Sequence, residues 1–210
     1  ANKWFIGKPI NVNFDYKFIG VWQRPDSLEA LGYGAKPGYA RYVDVNKNGV
    51  YDPEDRQIIG SPEPTFTWGF TNNFIYKSLS INIFLYGKNN VLKANPYKDR
   101  TYLIMQNYWT INNPTNEYWS NASMANKYLG KGNYPSVYEN ADFVRVKEIT
   151  IAYNLPQKIF KKINVNTVKL YATGKNLFTF TKWLALDPEL DNQRAIPLQR
   201  EFIGGINLSF

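Results

Sequence analysis

The sequence predicts an all-β fold in which about six antiparallel strands form one part of a transmembrane β-barrel. Three observations carry this prediction. Several segments alternate large apolar residues with polar ones, the connections between these segments are long and short in turn, and residues 202–210 form an apolar strand. No run of residues approaches the ~18 consecutive apolar residues of a membrane-spanning helix.

The composition excludes several kinds of functional site. The chain of 210 residues contains neither cysteine nor histidine, which removes disulfides, thiolate catalysis, and histidine as a metal ligand or general base. Hydrophobic residues make up 44% of the chain although the mean hydropathy is −0.44, so apolar and polar residues are interleaved. The net charge of +8 comes from scattered lysines and arginines. This scatter favours a solvated surface that partly contacts anionic lipid head groups, and it argues against a nucleic-acid partner.

The last strand sets the two faces of the predicted sheet. Four of its large apolar side chains share one parity, while Asn207 and Ser209 take the other together with Ile203. Because alternate side chains of a strand point to opposite faces, one face is predicted to contact lipid. An apolar edge strand at the end of a water-soluble protein promotes aggregation, whereas closure in a barrel pairs its backbone groups. The predicted lipid-facing residues of this strand are Phe202, Ile206, Leu208 and Phe210.

The other strands follow from the same alternation. In the second strand, at residues 65–76, Phe66, Trp68 and Phe70 are predicted to face lipid. A tight turn at residues 77–78 joins this strand to the third, at residues 79–87, in a hairpin. The aromatic residues of the first strand fit a girdle at the membrane interface. The fourth strand has a clear parity only in its second half, so either its first half projects beyond the membrane or a bulge shifts its register. These strands are predicted at residues 10–22, 65–76, 79–87, 142–155 and 166–178.

The connections between the strands predict the orientation of the barrel. Loops near residues 24–63, 88–140 and 179–197 are long, and the intervening connections are short. Outer-membrane barrels have short periplasmic turns and long extracellular loops, so the three long loops are predicted to lie outside the cell. Helical turns are predicted within them at residues 26–31 and 99–109.

The predicted strands are too few to close a barrel. Known barrels begin at about eight strands, and an open edge in lipid leaves backbone groups without partners. We therefore expect residues outside this chain to complete the barrel. The first residues also lack the pattern of a signal peptide, so we expect either a removed leader or a chain that begins partway through a larger protein.

Residues 44–55 carry the sharpest local motif, because their oxygen donors have the spacing of an EF-hand calcium loop. Gly49 occupies the position of the sharp turn, but aspartate replaces the usual final glutamate and no helices flank the loop, which predicts a weak structural site. The alternative is a loop that is held by its own Asx turns, and both interpretations remain open. The predicted calcium ligands are Asp44, Asn46, Asn48, Val50 (through its carbonyl), Asp52 and Asp55.

Catalysis has little support in the sequence. Nothing in the chain order brings its candidate carboxylates together in the manner of a paired acid and base, and loop carboxylates are usually solvated. These candidates are Glu148, Asp187, Glu189 and Asp191. The predicted function is therefore not enzymatic.

Four aromatic residues in the second long loop are candidates for contact with a ligand or a partner. They are Tyr108, Trp109, Tyr118 and Trp119. Such side chains stack on sugars and anchor protein interfaces. Packing of these rings within the loop itself is the alternative, and the sequence favours it.

The order and spacing of several short motifs resemble the C-terminal part of the SusC/RagA-type TonB-linked outer-membrane transporters. Each motif is loose by itself, but together they cover the chain almost from end to end. The matching stretches are residues 20–23 (GVWQ), 36–55, 59–64 (IGSPEP), 143–150 (FVRVKEIT), 153–156 (YNLP), 174–182 (GKNLFTFTK), 187–189 (DPE) and 205–210 (GINLSF).

This resemblance implies that the chain is the C-terminal segment of a large plugged barrel of about 22 strands. It implies outer-membrane import of a nutrient, driven by TonB through a plug that this chain lacks, with a SusD-like lipoprotein lid that captures glycans or peptides. It also implies that Phe210 belongs to the signal read by the barrel-assembly machinery. Residues 108–133 and the short segment after residues 187–189 depart from the usual pattern, so the substrate class stays open.

Two other functions remain open from the sequence. One is a structural barrel subunit of a larger outer-membrane complex that does not transport. The other is a secreted, calcium-stabilised β-sandwich that binds carbohydrate through its loop aromatics.

Overall fold

The computed structural model describes residues 4–95, 107–120, 137–160, 165–191 and 195–210. The chain forms two compact units. The first, here called the loop unit, comprises Ala1–Glu63 and Leu92–Glu139, and the second, the sheet unit, comprises Pro64–Val91 and Asn140–Phe210. Most of the helix predicted at residues 99–109 lies outside the described residues.

Long strands make up most of the sheet unit, whereas the strands of the loop unit are short. No helix in the described ranges is long and apolar enough to cross a membrane. The helical turns predicted at residues 26–31 correspond to α1 (Ser27–Gly32). In chain order the strands are β1 (Asn13–Tyr16), β2 (Phe18–Val21), β3 (Ala40–Tyr42), β4 (Arg56–Gly60), β5 (Phe66–Tyr76), β6 (Leu79–Asn89), β7 (Leu92–Ala94), β8 (Tyr138–Asn140), β9 (Phe143–Asn154), β10 (Thr167–Thr181) and β11 (Glu201–Ser209).

The sheet unit consists of one antiparallel sheet with the strand order β11-β10-β9-β6-β5. Five of the predicted strands therefore pair in a single sheet, with ends close to those predicted. The hairpin predicted between β5 and β6 turns at Lys77, which has a left-handed backbone conformation (φ 53°).

The register of this sheet joins the separate alternations into two continuous faces, because residues directly opposite each other share a face. The face of large side chains, here called the apolar face, includes the row Phe74, Ile81, Ile151, Ala172 and Gly204. The other face, here called the polar face, includes the adjacent row Asn73, Asn82, Thr150, Thr173 and Ile203.

A bulge in β9 resolves the unclear parity of that strand. Glu148 pairs with Phe84 and Val146 pairs with Leu85, so Lys147 is an extra residue on β9 relative to β6. The extra residue places the even-numbered Val146 on the same face as the odd-numbered apolar residues of the second half, as expected of a bulge. Of the two alternatives for this strand, the structure shows the register shift.

The first predicted strand is the element that the structure corrects. Residues 10–22 do not form one long strand of the five-stranded sheet, because β1 pairs with β4 and β2 pairs with β3 inside the loop unit. Tyr16 and Trp22, predicted for an interfacial girdle, are 1% and 0% exposed in the core of this unit. Alternation reports which face of a strand is apolar, and it does not distinguish lipid from a protein core as the neighbour of that face.

The loop unit has a core of its own, built largely from aromatic side chains and alanines. Tyr33 stacks on Tyr51 with ring centroids 4.6 Å apart, and the Arg41 guanidinium lies 4.2 Å from the centroid of the Trp22 ring. Residues 24–63, predicted as a long loop with internal order, supply most of this core. Its buried members are Tyr16, Trp22, Ala30, Ala35, Ala40, Tyr42 and Tyr51.

Candidate functional site

The predicted calcium loop is a closed set of short hydrogen bonds. The Asn46 side-chain oxygen accepts from the Asn48 amide at 3.0 Å, and the Asn48 side-chain oxygen accepts from the Val50 amide at 2.9 Å. Asp52 caps the following turn by accepting from the Glu54 amide at 2.8 Å. These repeated contacts between side chains and the backbone two residues later are Asx turns, so the sequence of Asp and Asn residues dictates the path of the loop.

Asp55 ties the two ends of this loop together. Its side chain is buried, and its two oxygens accept from the Val45 amide at 2.7 Å and the Asp52 amide at 2.9 Å. The residue predicted as the last calcium ligand therefore holds two backbone amides in the structure.

Asp44 is anchored at the other end. Its Oδ2 atom accepts from the Gly49 amide at 2.9 Å and from the Tyr33 hydroxyl at 3.1 Å. Burial opposes the charge on this carboxylate, but these hydrogen bonds outweigh burial and lower the pKa of Asp44. Burial raises the pKa of the nearby Tyr51 to about 12, although the Tyr42 amide donates to its hydroxyl oxygen at 3.2 Å.

The described residues of the chain contain no group of three or more carboxylates gathered closely enough to hold a metal. A calcium ion in this loop would depend on the amide oxygens of Asn46 and Asn48 and on the Val50 carbonyl, which are hard oxygen ligands of the kind calcium accepts. The observed hydrogen bonds also agree with the alternative, a loop that is held by its own Asx turns. The calcium site stays a prediction.

The four candidate aromatic residues lie in the loop unit, and all four contact their own chain. The Trp109 indole donates to the Gln23 side-chain oxygen at 2.9 Å. Tyr118 is buried, meets Tyr108 edge to face, and stacks on Trp119 at 4.1 Å. A role for these rings in ligand or partner contact remains a prediction.

Trp119 also lines a cleft of the loop unit, which has a volume of about 590 Å³. Its walls include Phe18 and Tyr42, and charged side chains of both signs, Lys17 and Glu117, line it as well. The Phe18 ring meets Trp119 edge on at 5.8 Å. Trp119 thus has its ring on a concave surface.

The predicted lipid-facing side chains lie together on the apolar face and stand largely uncovered within this chain. Phe66 is 59% exposed, Phe70 52% and Phe202 79%. Trp68 is half-buried because its indole covers Gly87 on the neighbouring strand and donates to the Asn89 side chain at 3.0 Å. The remaining members, Ile206, Leu208 and Phe210, are each more than half exposed.

Sequence reasoning missed one constellation, on the polar face. Arg145 is 1% exposed and pairs with Asp187 at 2.7 Å and with Glu189 at 3.1 Å. The expectation that these loop carboxylates are solvated is wrong for Asp187, which is 6% exposed. The sequence contained one signal for this pairing, an arginine within a strand and an Asp-Pro-Glu turn. Spacing along the chain does not predict contacts between residues so far apart.

Comparison with known proteins places this geometry in context. No protein-family model matches the sequence. The TonB-dependent receptor P3 of Formosa agariphila is 30% identical over 97% of this chain and 22% of its own length. The TonB-dependent receptor SusC of Bacteroides thetaiotaomicron is 28% identical over 83% of this chain and 18% of its own length. The chain is related to the SusC/RagA-type TonB-dependent receptors.

Solved structures show the same fold for this SusC/RagA-type chain. A chain of the RagAB peptide importer in its open-open state aligns with 99% of it at a TM-score of 0.72 and 23% identity. The closed-closed state of the same importer aligns with a TM-score of 0.68. The match covers 23% of the importer chain in the first case and 24% in the second.

These comparisons confirm the predicted fold class. The five-stranded sheet is a portion of a large β-barrel that residues outside this chain complete, and the alternative of a secreted β-sandwich is wrong. The chain spans about a fifth of the length of the curated relatives that it matches. Both named relatives are receptors, in agreement with the prediction that this SusC/RagA-type chain is not an enzyme.

Proposed function

We propose that this chain forms part of the wall and the long loops of a bacterial outer-membrane importer that takes up a nutrient, either a glycan or a peptide. The observation that carries the proposal is the continuous apolar face. A sheet that exposes Phe66, Phe70 and Phe202 on one side and a polar surface on the other meets the demand of a wall between lipid and an aqueous interior.

The long connections of the sheet unit support one orientation in the membrane. The turn at residues 77–78 and the connection between β9 and β10 lie at one end of the sheet, and the ends of β6, β10 and the start of β9 lie at the other. We assign the first end to the periplasm and the second to the cell exterior, because outer-membrane barrels have their short turns on the periplasmic side. The loop unit, with residues 44–55, then belongs to the extracellular part.

The partners of such an importer are part of the proposal. A SusD-like lipoprotein lid, a plug within the barrel, and TonB acting through that plug are expected from the SusC and RagAB relatives. Recognition of Phe210 by the barrel-assembly machinery is also part of the proposal; this residue follows β11, is 79% exposed and continues the apolar face.

A pair of neighbouring substitutions in the intact receptor tests the placement of the wall. Phe70→Arg on the apolar face of β5 is expected to destabilise the barrel by roughly 2–4 kcal/mol, whereas Thr71→Arg on the polar face costs much less. The measurement is the urea concentration at which half of the barrel is unfolded in lipid vesicles. The folded fraction is monitored by the mobility of unheated protein in gels. Equal losses for both variants would show that the apolar face does not contact lipid.

Uptake by cells tests transport itself. A strain that lacks the intact receptor is expected to lose growth on at least one class of nutrient, supplied as a sole carbon source in the form of oligosaccharides or of peptides. Suppose that growth is normal on both classes and that Phe70→Arg destabilises the barrel as expected. These two results together would instead support a structural barrel subunit that does not transport.

A further inference from the structure

The segment that follows β10, residues 183–190, is attached to the sheet at two separate points. The first is Trp183, which is 5% exposed and packs with Val91, Ala141 and Ala185. Its backbone amide also donates to the Thr181 hydroxyl at 3.0 Å, and this hydroxyl donates to the Asp142 carbonyl at 2.7 Å. The start of the segment is therefore fixed by packing and by hydrogen bonds to the neighbouring strand end.

The second attachment is ionic. The Arg145 Nη2 atom lies 2.7 Å from Asp187 Oδ1, its Nη1 atom lies 3.1 Å from Glu189 Oε2, and Lys147 Nζ lies 3.7 Å from the same Glu189 oxygen. Asp187 also accepts from the Glu189 amide at 2.9 Å, which closes a tight turn around Pro188. Two cations and two carboxylates balance one another at this point.

The side of the sheet on which this attachment lies follows from the register. Arg145 pairs with Tyr86 on β6 and with Thr179 on β10, and both partners belong to the polar face. The guanidinium also lies 5.2 Å from the centroid of the Phe143 ring, two residues away on the same face. The segment thus folds back over the polar face, at the end of the sheet from which the long loops leave.

Burial makes this attachment depend on its charges. Arg145 is 1% exposed and Asp187 6%, so removal of Arg145 takes a buried cation away from the two carboxylates that it holds. Removal of the Asp187 charge as well reduces this imbalance, and the cost is then smaller. An exposed surface pair, such as Arg41 with Glu29 in the loop unit, does not have this property.

We propose that residues 183–190 form a strap that is permanently docked on the polar face, that Arg145 is the positioning residue that holds it, and that the strap narrows the passage of the barrel at its outer end. The placement within a passage rests on the proposed function. The docking of the strap by Arg145 does not, since it follows from contacts within the sheet unit.

Cysteine labelling of the intact receptor, in a background without other cysteines, tests the docking. This chain contributes no cysteine of its own, so Ala185→Cys introduces a single half-buried thiol in the strap. In this background, Arg145→Gln is expected to raise the rate of reaction with a hydrophilic maleimide roughly tenfold or more, because the strap loses the buried cation that pairs with Asp187 and Glu189. The double variant Arg145→Gln with Asp187→Asn is expected to label more slowly than Arg145→Gln alone.

Two matched variants control this experiment. Lys169→Gln removes a cation from the polar face far along β10 from the strap and is expected to leave the labelling rate unchanged. Leu184→Cys, at a strap position that is 60% exposed, is expected to label at the same rate with or without Arg145.

The outcomes separate the strap from the proposed function. An unchanged rate for Ala185→Cys in a folded Arg145→Gln receptor overturns the role of Arg145. If that receptor does not fold, Glu189→Gln is used, since it leaves the Arg145–Asp187 pair in place; a smaller rise in rate is expected, and no rise overturns the proposal. If a membrane-impermeant maleimide labels Leu184→Cys in lysed cells and not in intact cells, the placement in an outward passage is wrong, while the docking result still stands.

Discussion

The two units of this chain use aromatic side chains in opposite ways. In the loop unit, the large rings of Tyr16, Trp22 and Tyr42 are at most 2% exposed and form a core. In the sheet unit, Phe70, Phe202 and Phe210 are each more than half exposed and lie on one face. The units have a similar abundance of aromatic residues, so composition does not explain the difference.

The difference lies in what each unit needs from its surroundings. The loop unit buries its rings against its own alanines and tyrosines, as a domain in water does. The inner strands of the sheet unit pair with a neighbour on both sides, and its large side chains on one face are left uncovered by the chain itself. We expect this arrangement of a wall that contacts lipid. Stability of the first is therefore expected to respond to its core, and stability of the second to its outer face.

The largest effect is expected from the core of the loop unit. Trp22→Ala removes a fully buried indole and should destabilise this unit by about 3–5 kcal/mol. Hydrogen exchange of the intact receptor measures it, with lost protection expected in peptides from β1 to β4 and none in peptides from β9. Leu28→Ala, at a position 86% exposed on α1, is the control and should change little. Equal deprotection of β9 would show that the two units do not respond separately.

Calcium gives the next effect, if residues 44–55 bind it. At a concentration of calcium about a hundred times its dissociation constant, the loop unit should gain about 2.7 kcal/mol of stability. Asp44→Ala should abolish the gain, whereas Glu54→Ala, at a loop position not predicted to be a ligand, should keep it. Thermal unfolding with calcium and with a chelator measures both. If calcium still stabilises the Asp44→Ala variant, the ion does not bind at residues 44–55, and this loop is held by its Asx turns alone.

Two adjacent glycines of β11 probe the two faces of the sheet unit. A Cβ atom at Gly205, on the polar face, would lie 2.4 Å from the Tyr171 ring, while one at Gly204, on the apolar face, would meet nothing within 4 Å. Gly205→Ala should therefore cost about 1–3 kcal/mol through overpacking, and Gly204→Ala close to nothing. Urea unfolding in lipid vesicles compares them. Equal costs would contradict the close approach of Tyr171 to the last strand.

The smallest expected effect is the pH dependence of Asp44. Its pKa is lowered in the folded loop, so the charged carboxylate stabilises the loop above its unfolded value of about 3.9, and this contribution disappears as pH falls through the lowered folded value. Asp44→Asn should be less stable than the unaltered protein near neutral pH and match it in acid. Thermal unfolding of the loop unit at both pH values measures the difference, and a gap that persists in acid would assign the effect to shape rather than charge.

Local alternation was sufficient to predict the sheet unit. The strand predicted at residues 65–76 is Phe66–Tyr76 in the structure, and the one at residues 142–155 is Phe143–Asn154. Alternation succeeded because each of these strands has one apolar face. It failed for residues 10–22, which also alternate, because their neighbours are the side chains of a separate core built mainly from residues 24–63.

The candidate sites divide in the same way. The path of residues 44–55 follows from Asx turns that span two residues each, so sequence spacing predicted its closure, although spacing does not decide whether calcium binds. The pairing of Arg145 with Asp187 joins residues 42 apart, across two strands and a loop. Only the folded register brings this pair together, and nothing in the local pattern distinguishes Asp187 from a solvated loop carboxylate.

The extra residue at Lys147 has a consequence for how tolerance to mutation should be distributed along β9. Scanning every position of the strand with a charged residue should give an every-second-residue pattern of intolerance, but the phase of that pattern should reverse at Lys147. Val144 and Val146 would be intolerant before it, and Ile149 and Ile151 after it. Deletion of Lys147 would bring the two phases into line, because Val146 and Ile149 would then stand two residues apart, as their partners Leu85 and Ile83 do.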